Sequence, residues 1–265
     1  MYRAILLMTV VLLASPLSIV HAQKAQDLLV LYTFQEGDGE TVKDVSEFGD
    51  PLDLTVNTPE HMKWMPNGGV TLTDPALFAS AGPATKIIEA CKATNEITIQ
   101  AWVTPANNTN TGPARIATLS ANPSNRNFTL GQDTTGYQIR LRTTTTGVNG
   151  VNPALAAPNT VVPNQMVQLV YTFAAEEATF YIDGDEFGTL EVPGTFDTWD
   201  ETYKFGIGHE LDLADDLGRS FLGDYFLVAV YSRAIPPDEL PGEEFLAVQG
   251  RDKLPIAWGR IKASR

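Results

Sequence analysis

The stretch Ile97-Thr-Ile-Gln-Ala-Trp-Val-Thr-Pro105 decides the fold class of this chain. Its apolar residues fall on every second position, at Ile97, Ile99, Ala101 and Val103. Alternation with a period of two is typical of a strand that buries one face in a sheet. Proline lacks the N–H group that a sheet ladder needs, so Pro105 ends the run.

The same alternation recurs in other short runs that are separated by turn-forming residues. These runs lie at 28–34, 137–142, 167–173, 178–182 and 221–231. Asp183-Gly184 follows the fourth run and predicts a hairpin, because both residue types tolerate positive φ. Helix is expected only at Ala84–Lys92 and Pro237–Val248. Many short strands with few helices predict an all-β sandwich or barrel.

Four blocks of the sequence resemble laminin-G-like domains of the concanavalin A-like lectin/glucanase superfamily. They are Leu28–Ser46, Glu96–Pro105, Leu169–Gly184 and Phe221–Leu240, in the family's order and spacing. The resemblance implies a two-sheet antiparallel jelly-roll sandwich with one or two short helices. Residues 23–250 are expected to form this domain, and 251–265 a short basic tail. The superfamily holds lectins, carbohydrate-binding modules, adhesion modules and glucanases, so the fold implies no single function.

The first 22 residues have the layout of a secretory signal peptide. Arg3 supplies a positive start, Ala4–Ala14 is apolar apart from Thr9, and cleavage is expected after Ala22. The alternative is a membrane anchor, but the apolar run is too short to cross a bilayer of about 30 Å. We therefore predict a secreted protein, extracellular or periplasmic, with no membrane insertion after cleavage.

Charge and cysteine content limit the partners of the chain. The formal net charge is −14, and such an acidic chain repels phosphate backbones, so nucleic acid is not an expected partner. Cys91 is the only cysteine, which rules out an intrachain disulfide and a cysteine-based zinc cluster. We predict a binding or interaction module for extracellular carbohydrate or protein. The alternative is an adhesion or scaffold protein with no small ligand.

Carboxylates near two of the resembling blocks predict a structural calcium ion. Asp44 follows the first strand and Asp224 starts the last, and the jelly roll would place these blocks side by side. Calcium takes six to eight oxygen ligands, and Glu36 would supply a third side chain. The alternative is that Asp44 caps a turn through Ser46 while Asp224 is simply exposed.

A sugar site is expected where an aromatic side chain lies beside hydrogen-bonding groups. Trp102 and Gln100 lie on the polar side of their strand, and Arg140 and Arg142 line one side of a strand expected nearby. These four residues are the predicted carbohydrate site. The alternative for Trp102 is a second small core under a loop.

One acidic motif raises the question of catalysis. Glu210, Asp212 and Asp215 resemble the three carboxylates that glucanases of this superfamily carry on one strand. A retaining pair of carboxyl groups must lie about 5–5.5 Å apart, and the shorter Asp215 side chain would widen that gap. We expect a solvated acidic loop and a chain that is not an enzyme. A glycan-active hydrolase built on these residues is the alternative.

Overall fold

The computed structural model describes residues 27–212, 219–243 and 246. The predicted signal peptide at 1–22 and the predicted tail at 251–265 lie outside the described residues. Within the described part, no helix is long and apolar enough to cross a membrane.

The described residues form sixteen strands, and strands make up 42% of the structure, well above the 20–25% typical of globular proteins. Strands β1 to β8 are Leu28–Tyr32, Thr41–Val42, Leu54–Val56, Met62–Trp64, Val70–Leu72, Phe78–Ser80, Ile97–Pro105 and Ala114–Asn122. Strands β9 to β16 are Asn125–Asp133, Gly136–Leu141, Leu155–Ala157, Val167–Ala174, Glu177–Ile182, Asp185–Glu191, Lys204–Ile207 and Gly223–Tyr231.

These strands form two eight-stranded antiparallel sheets. Sheet 1 has the order β14-β13-β12-β7-β16-β5-β4, and β1 pairs with the end of β16. Sheet 2 has the order β11-β10-β9-β8-β15-β6-β3-β2. The predicted all-β, two-sheet antiparallel jelly-roll sandwich is confirmed.

The main core lies between the two sheets. All four apolar residues of the deciding stretch in β7 are fully buried there, and Phe128 and Leu130 of β9 face them from sheet 2. A second apolar cluster lies on the opposite face of sheet 1. It consists of Leu31, Trp102, Val170, Leu227, Ala229, Tyr231, Ile235 and Leu240. Ile235 and Leu240 follow the last strand, so the chain after β16 packs against the outside of sheet 1.

Helix is scarce, as the sequence predicts. The α-helix α1 spans Thr85–Thr94 and buries Ile87, Ile88 and Cys91. Asn95 ends it in the left-handed conformation, and its N–H group donates to the Cys91 carbonyl at 2.8 Å. Three short 3₁₀ turns lie at Pro59–His61, Phe196–Thr198 and Pro237–Glu239. Of the predicted Pro237–Val248 helix, the structure describes this 3₁₀ turn at its start and helical positions at Glu243 and Leu246.

Candidate functional site

A groove beside Trp102 has a volume of about 460 Å³. Its lining residues come from sheet 1 and two neighbouring segments: Trp102, Gln165, Met166, Gln168, Asp183 and Glu243. The lining combines one aromatic ring and one thioether with two amides and two carboxylates. Such a surface can contact both the apolar and the hydroxyl-bearing parts of a small polar molecule.

Strand pairing places two groove residues side by side. Trp102 of β7 is directly opposite Gln168 of β12, and both side chains point away from the main core. The hairpin between β13 and β14 turns at Asp183 and Gly184, both with positive φ, as the sequence predicts. Asp183 Oδ1 accepts the N–H of Gln168 at 2.8 Å, which ties this turn to the start of β12.

Trp102 and Gln100 are largely covered by the chain that follows β16. The Pro241 carbonyl accepts Gln100 Nε2–H at 2.8 Å and Trp102 Nε1–H at 3.3 Å. Gln100 is fully buried and Trp102 is 8% exposed, so Trp102 forms part of a second core, which was the alternative. Only a small part of the Trp102 surface remains exposed to line the groove.

The four residues predicted to bind carbohydrate do not form one site. Arg140 belongs to β10 of sheet 2, where its neighbours Ile139 and Leu141 face the main core. Its side chain therefore lies on the outer face of sheet 2, whereas Trp102 and Gln100 lie on the outer face of sheet 1. Arg142 follows β10, and its carbonyl accepts the indole N–H of Trp199 at 2.7 Å. The sandwich separates the two pairs because alternation shows which side chains share a face but not which sheet a strand joins.

Asp44 is committed to protein groups rather than to a metal. Its Oδ1 accepts the N–H groups of Leu31 and Ser46 at 3.1 and 3.0 Å, and its Oδ2 accepts that of Leu52 at 3.0 Å. Lys86 Nζ donates to Oδ2 at 2.5 Å. Burial acts to raise the pKa of Asp44, but the hydrogen bonds from Lys86 and the backbone outweigh it and lower the pKa. Asp44 therefore stays ionised.

The other two predicted calcium ligands also have protein partners. Asp224 Oδ1 accepts the Thr71 hydroxyl at 2.6 Å, and Glu36 Oε1 accepts the Lys43 N–H at 2.7 Å. Burial raises the pKa of Glu36, although the hydrogen bond from Lys43 partly offsets it. No group of three or more His, Cys, Asp or Glu residues within the described ranges could hold a metal ion.

These contacts correct the predicted ligand set for calcium. The ammonium group of Lys86 is hydrogen-bonded to Asp44 and repels a divalent cation. Each carboxylate oxygen of Asp44 also already accepts hydrogen bonds. Asp44, Asp224 and Glu36 therefore do not fit a calcium ion. Calcium binding by this domain stays a prediction without an assigned site.

Glu210, from the acidic motif, lies in a buried ion pair. It is fully buried, and its carboxylate accepts hydrogen bonds from Arg115 Nη2, from the Ser120 hydroxyl at 3.1 Å and from the Leu211 N–H at 2.8 Å. Asp212 has interactions of its own. Asp215 lies outside the described residues, so the spacing of the three carboxylates stays untested.

Three residues that the structure singles out, Gln168, Arg115 and Arg126, are not among the site residues predicted from the sequence. Gln168 is one of the polar positions in the alternating run at 167–173, yet nothing local shows that the 183 turn approaches it. Arg115 and Arg126 are two cations in otherwise buried strands, and both are fully buried. An arginine in a buried strand is unusual enough that it could have been singled out.

Residues 79–240 match a laminin G family described as the concanavalin A-like lectin/glucanases superfamily. This chain belongs to that family, as the four resembling blocks predict. No curated protein sequence matches the chain.

Solved structures share the fold at low sequence identity. A Trypanosoma rangeli sialidase in complex with sialic acid aligns with a TM-score of 0.58 and 18% identity, over 85% of this chain and 34% of the sialidase. Domain 4 of an extracellular arabinanase from Geobacillus stearothermophilus, in complex with arabinotriose, aligns with a TM-score of 0.54 and 15% identity, over 85% of this chain and 98% of that domain. The chain thus spans about a third of the sialidases and nearly all of the arabinanase domain.

These similarities correct the expectation that the chain is not an enzyme. The similar structures belong to proteins named as a sialidase and an arabinanase, at 15% to 18% identity. An enzymatic role is therefore possible. Structural similarity at this low sequence identity shows only that the fold is shared.

Proposed function

We propose that this chain is a carbohydrate-binding module and that the groove beside Trp102 is its sugar site. The observation that carries the proposal is the lining of this groove, where a mostly covered tryptophan lies with two glutamines and two carboxylates. The exposed part of Trp102 and the Met166 thioether supply apolar contacts, and amides both donate to and accept from hydroxyl groups. Carboxylates only accept, so the groove suits a ligand rich in O–H donors.

The volume and the charge of the groove support a short neutral oligosaccharide as the ligand. A volume of about 460 Å³ lies within the range of about 300–1,000 Å³ that small-molecule sites occupy. Asp183 and Glu243 place negative charge in the lining, which disfavours an anionic sugar. The arabinanase domain with the same fold carries arabinotriose, which supports an oligosaccharide as the first ligand to test.

Titration calorimetry with arabinotriose, followed by a glycan array, tests this proposal. Gln168→Leu should weaken binding at least tenfold, because it removes a hydrogen-bonding amide and keeps the size of the side chain. Gln35→Leu is the matched control, since Gln35 donates only to the Thr33 carbonyl and does not line the groove. Failure of every glycan to bind, or equal affinity in Gln168→Leu, would overturn the proposal. Reducing ends counted in the same samples separate binding from hydrolysis.

We also propose that the module is exported, extracellular or periplasmic. The support is the pattern of residues 1–22, with its positive start and apolar run ending before Ala22. N-terminal sequencing of the protein recovered outside the cytoplasm should begin at Gln23. An intact Met1 on the exported protein would contradict the predicted cleavage.

A further inference from the structure

The outer face of sheet 2 carries a cationic cluster that is separate from the groove. Its charged members include four arginines and one carboxylate, Arg115, Arg126, Arg140, Arg219 and Glu210, and Asp133 is close enough to Arg140 to act against the lowering of its pKa by burial. Thr118 and Thr129 lie on the same face, with their hydroxyl groups 2.7 Å apart. The groove lies on sheet 1, so a ligand at this cluster would be independent of a sugar bound beside Trp102.

Arg126 is the least satisfied member of this cluster. It is 0% exposed, and its Nη2 donates to the Pro123 carbonyl. Its Nε and Nη1 have no hydrogen-bond partner among the described residues. A buried donor without a partner costs the full desolvation free energy of the group, and the cost is larger for a charged group.

The charges around Arg126 do not offset the free-energy cost of burying its guanidinium group. Burial, followed by repulsion from Arg115 and Arg140, lowers the pKa of Arg126 to about 9, although Glu210 acts in the opposite direction. Glu210 is already paired with Arg115. Even after that pairing, Arg115 Nε lacks a partner within the part of the chain that the structure describes. The unsatisfied groups of both arginines are all donors, and donors next to positive charge fit an anion.

We propose that Arg126, together with Arg115 and Arg140, binds one oxyanion, a carboxylate or sulfate group such as acidic sugars carry. The planar guanidinium group presents its N–H donors in a fork that matches the oxygens of such anions. Arg140 is only partly buried and lies on β10, opposite Thr129 of β9. Arg140 is thus the partly exposed member of the proposed site, and we expect an anion to enter from its side.

Titration calorimetry with sodium sulfate, sodium glucuronate and glucose tests the proposal, at constant ionic strength set with sodium chloride. Wild-type protein should bind sulfate or glucuronate but not glucose at this site. Arg126→Met should weaken that binding at least tenfold. It should still fold, because removing a buried charge that has no counter-ion also removes the desolvation cost of burying that charge. Arg126→Lys keeps the charge but loses the planar fork, so its binding should also be weaker than wild type.

Arg233→Met is the matched control, because Arg233 pairs with Asp27 at 3.2 Å at the surface and its loss should leave anion binding unchanged. Tighter binding of glucuronate than of sulfate would assign the site to an acidic sugar, and the reverse to a sulfate group. Equal anion affinity in wild type and Arg126→Met, or no anion binding at all, would overturn the proposal. Gln168→Leu should leave anion binding intact, which separates this site from the groove.

Discussion

Lys86 of α1 and Asp44, which follows β2, form an almost fully buried ion pair. The Nζ–Oδ2 distance is 2.5 Å, and the side chains of Lys86 and Asp44 are 13% and 1% exposed. Lys86 Nζ also donates to the Phe48 carbonyl at 2.8 Å. The pair fastens α1 to the loop that follows β2.

Lys86→Met should lower the free energy of unfolding by about 3 kcal/mol at pH 7, because it leaves a buried carboxylate without its counter-ion. Urea unfolding followed by circular dichroism measures this change. Lys43→Met is the matched control, since the Lys43–Asp53 pair has side chains that are 58% and 33% exposed and should be worth less than about 1 kcal/mol. Equal losses in the two variants would show that burial does not set the strength of the pair.

The same pair predicts a pH dependence of stability. The folded state lowers the pKa of Asp44, so Asp44 stabilises the folded protein above its unfolded pKa of about 4. This stabilisation is lost as pH falls through the lower folded pKa. Between about pH 4 and pH 2, wild type should lose stability more steeply than Lys86→Met, in which the folded pKa of Asp44 is closer to its ordinary value. Parallel curves in this range would contradict the assignment.

Calcium should not change the cost of removing the Asp44 charge. Asp44→Asn breaks the pair with Lys86, and we expect the same loss of stability in calcium as in excess EDTA. Thermal melts of wild type and variant in both buffers measure the difference. A loss seen only in calcium would restore Asp44 as a calcium ligand.

Arg115 and Glu210 should behave as a coupled pair. Arg115→Met or Glu210→Gln alone should cost about 3–5 kcal/mol, because each leaves a buried charge unpaired. The double variant should cost much less than the sum of the two, since both charges are then absent. Urea unfolding of all four proteins completes the cycle. Additive losses would mean that the two charges do not interact.

The sequence predicts which residues face the main core but not what covers the outer faces. The four alternating apolar residues of β7, from Ile97 to Val103, lie in the main core, as their alternation indicates. The intervening Thr98 is also fully buried, and its hydroxyl donates to the Arg233 carbonyl at 2.6 Å. That contact joins residues 135 positions apart, and no local pattern encodes it.

The four residues predicted to bind carbohydrate are divided between two faces of the sandwich for a related reason. Arg140 does point away from the core, as its alternation predicts, but β10 joins sheet 2 while the strand of Trp102 joins sheet 1. Sheet membership depends on long-range pairing. By contrast, the Asp183-Gly184 turn and α1 are specified by neighbouring residues, and both were predicted within a few residues of where they lie.

Cys91 should be unreactive in the folded protein. It is fully buried in α1, and burial raises the pKa of its thiol, which suppresses the reactive thiolate. Iodoacetamide at pH 8 should label it only after denaturant unfolds the domain, as mass spectrometry of the intact protein would show. Since no other cysteine competes for the reagent, the labelling rate reports opening of the helix. Rapid labelling without denaturant would contradict the burial of Cys91.

Leu240 should control access to Trp102. Leu240 packs in the second cluster next to Pro241, whose carbonyl accepts the indole N–H. Leu240→Ala should lower stability by about 2 kcal/mol, the low end for a buried leucine, because a segment at the surface can partly close the cavity. It should also increase quenching of tryptophan fluorescence by acrylamide, since the segment covers the ring less tightly.

Two further variants show whether this quenching comes from Trp102. The increase should vanish when Leu240→Ala is combined with Trp102→Phe, because Trp64 and Trp199, the other tryptophans among the described residues, pack with the main core. Leu190→Ala is the matched control, as Leu190 packs against the main core and its loss should leave quenching unchanged. An increase that persists in the double variant would mean that Leu240 stabilises the sandwich as a whole rather than the cover over Trp102.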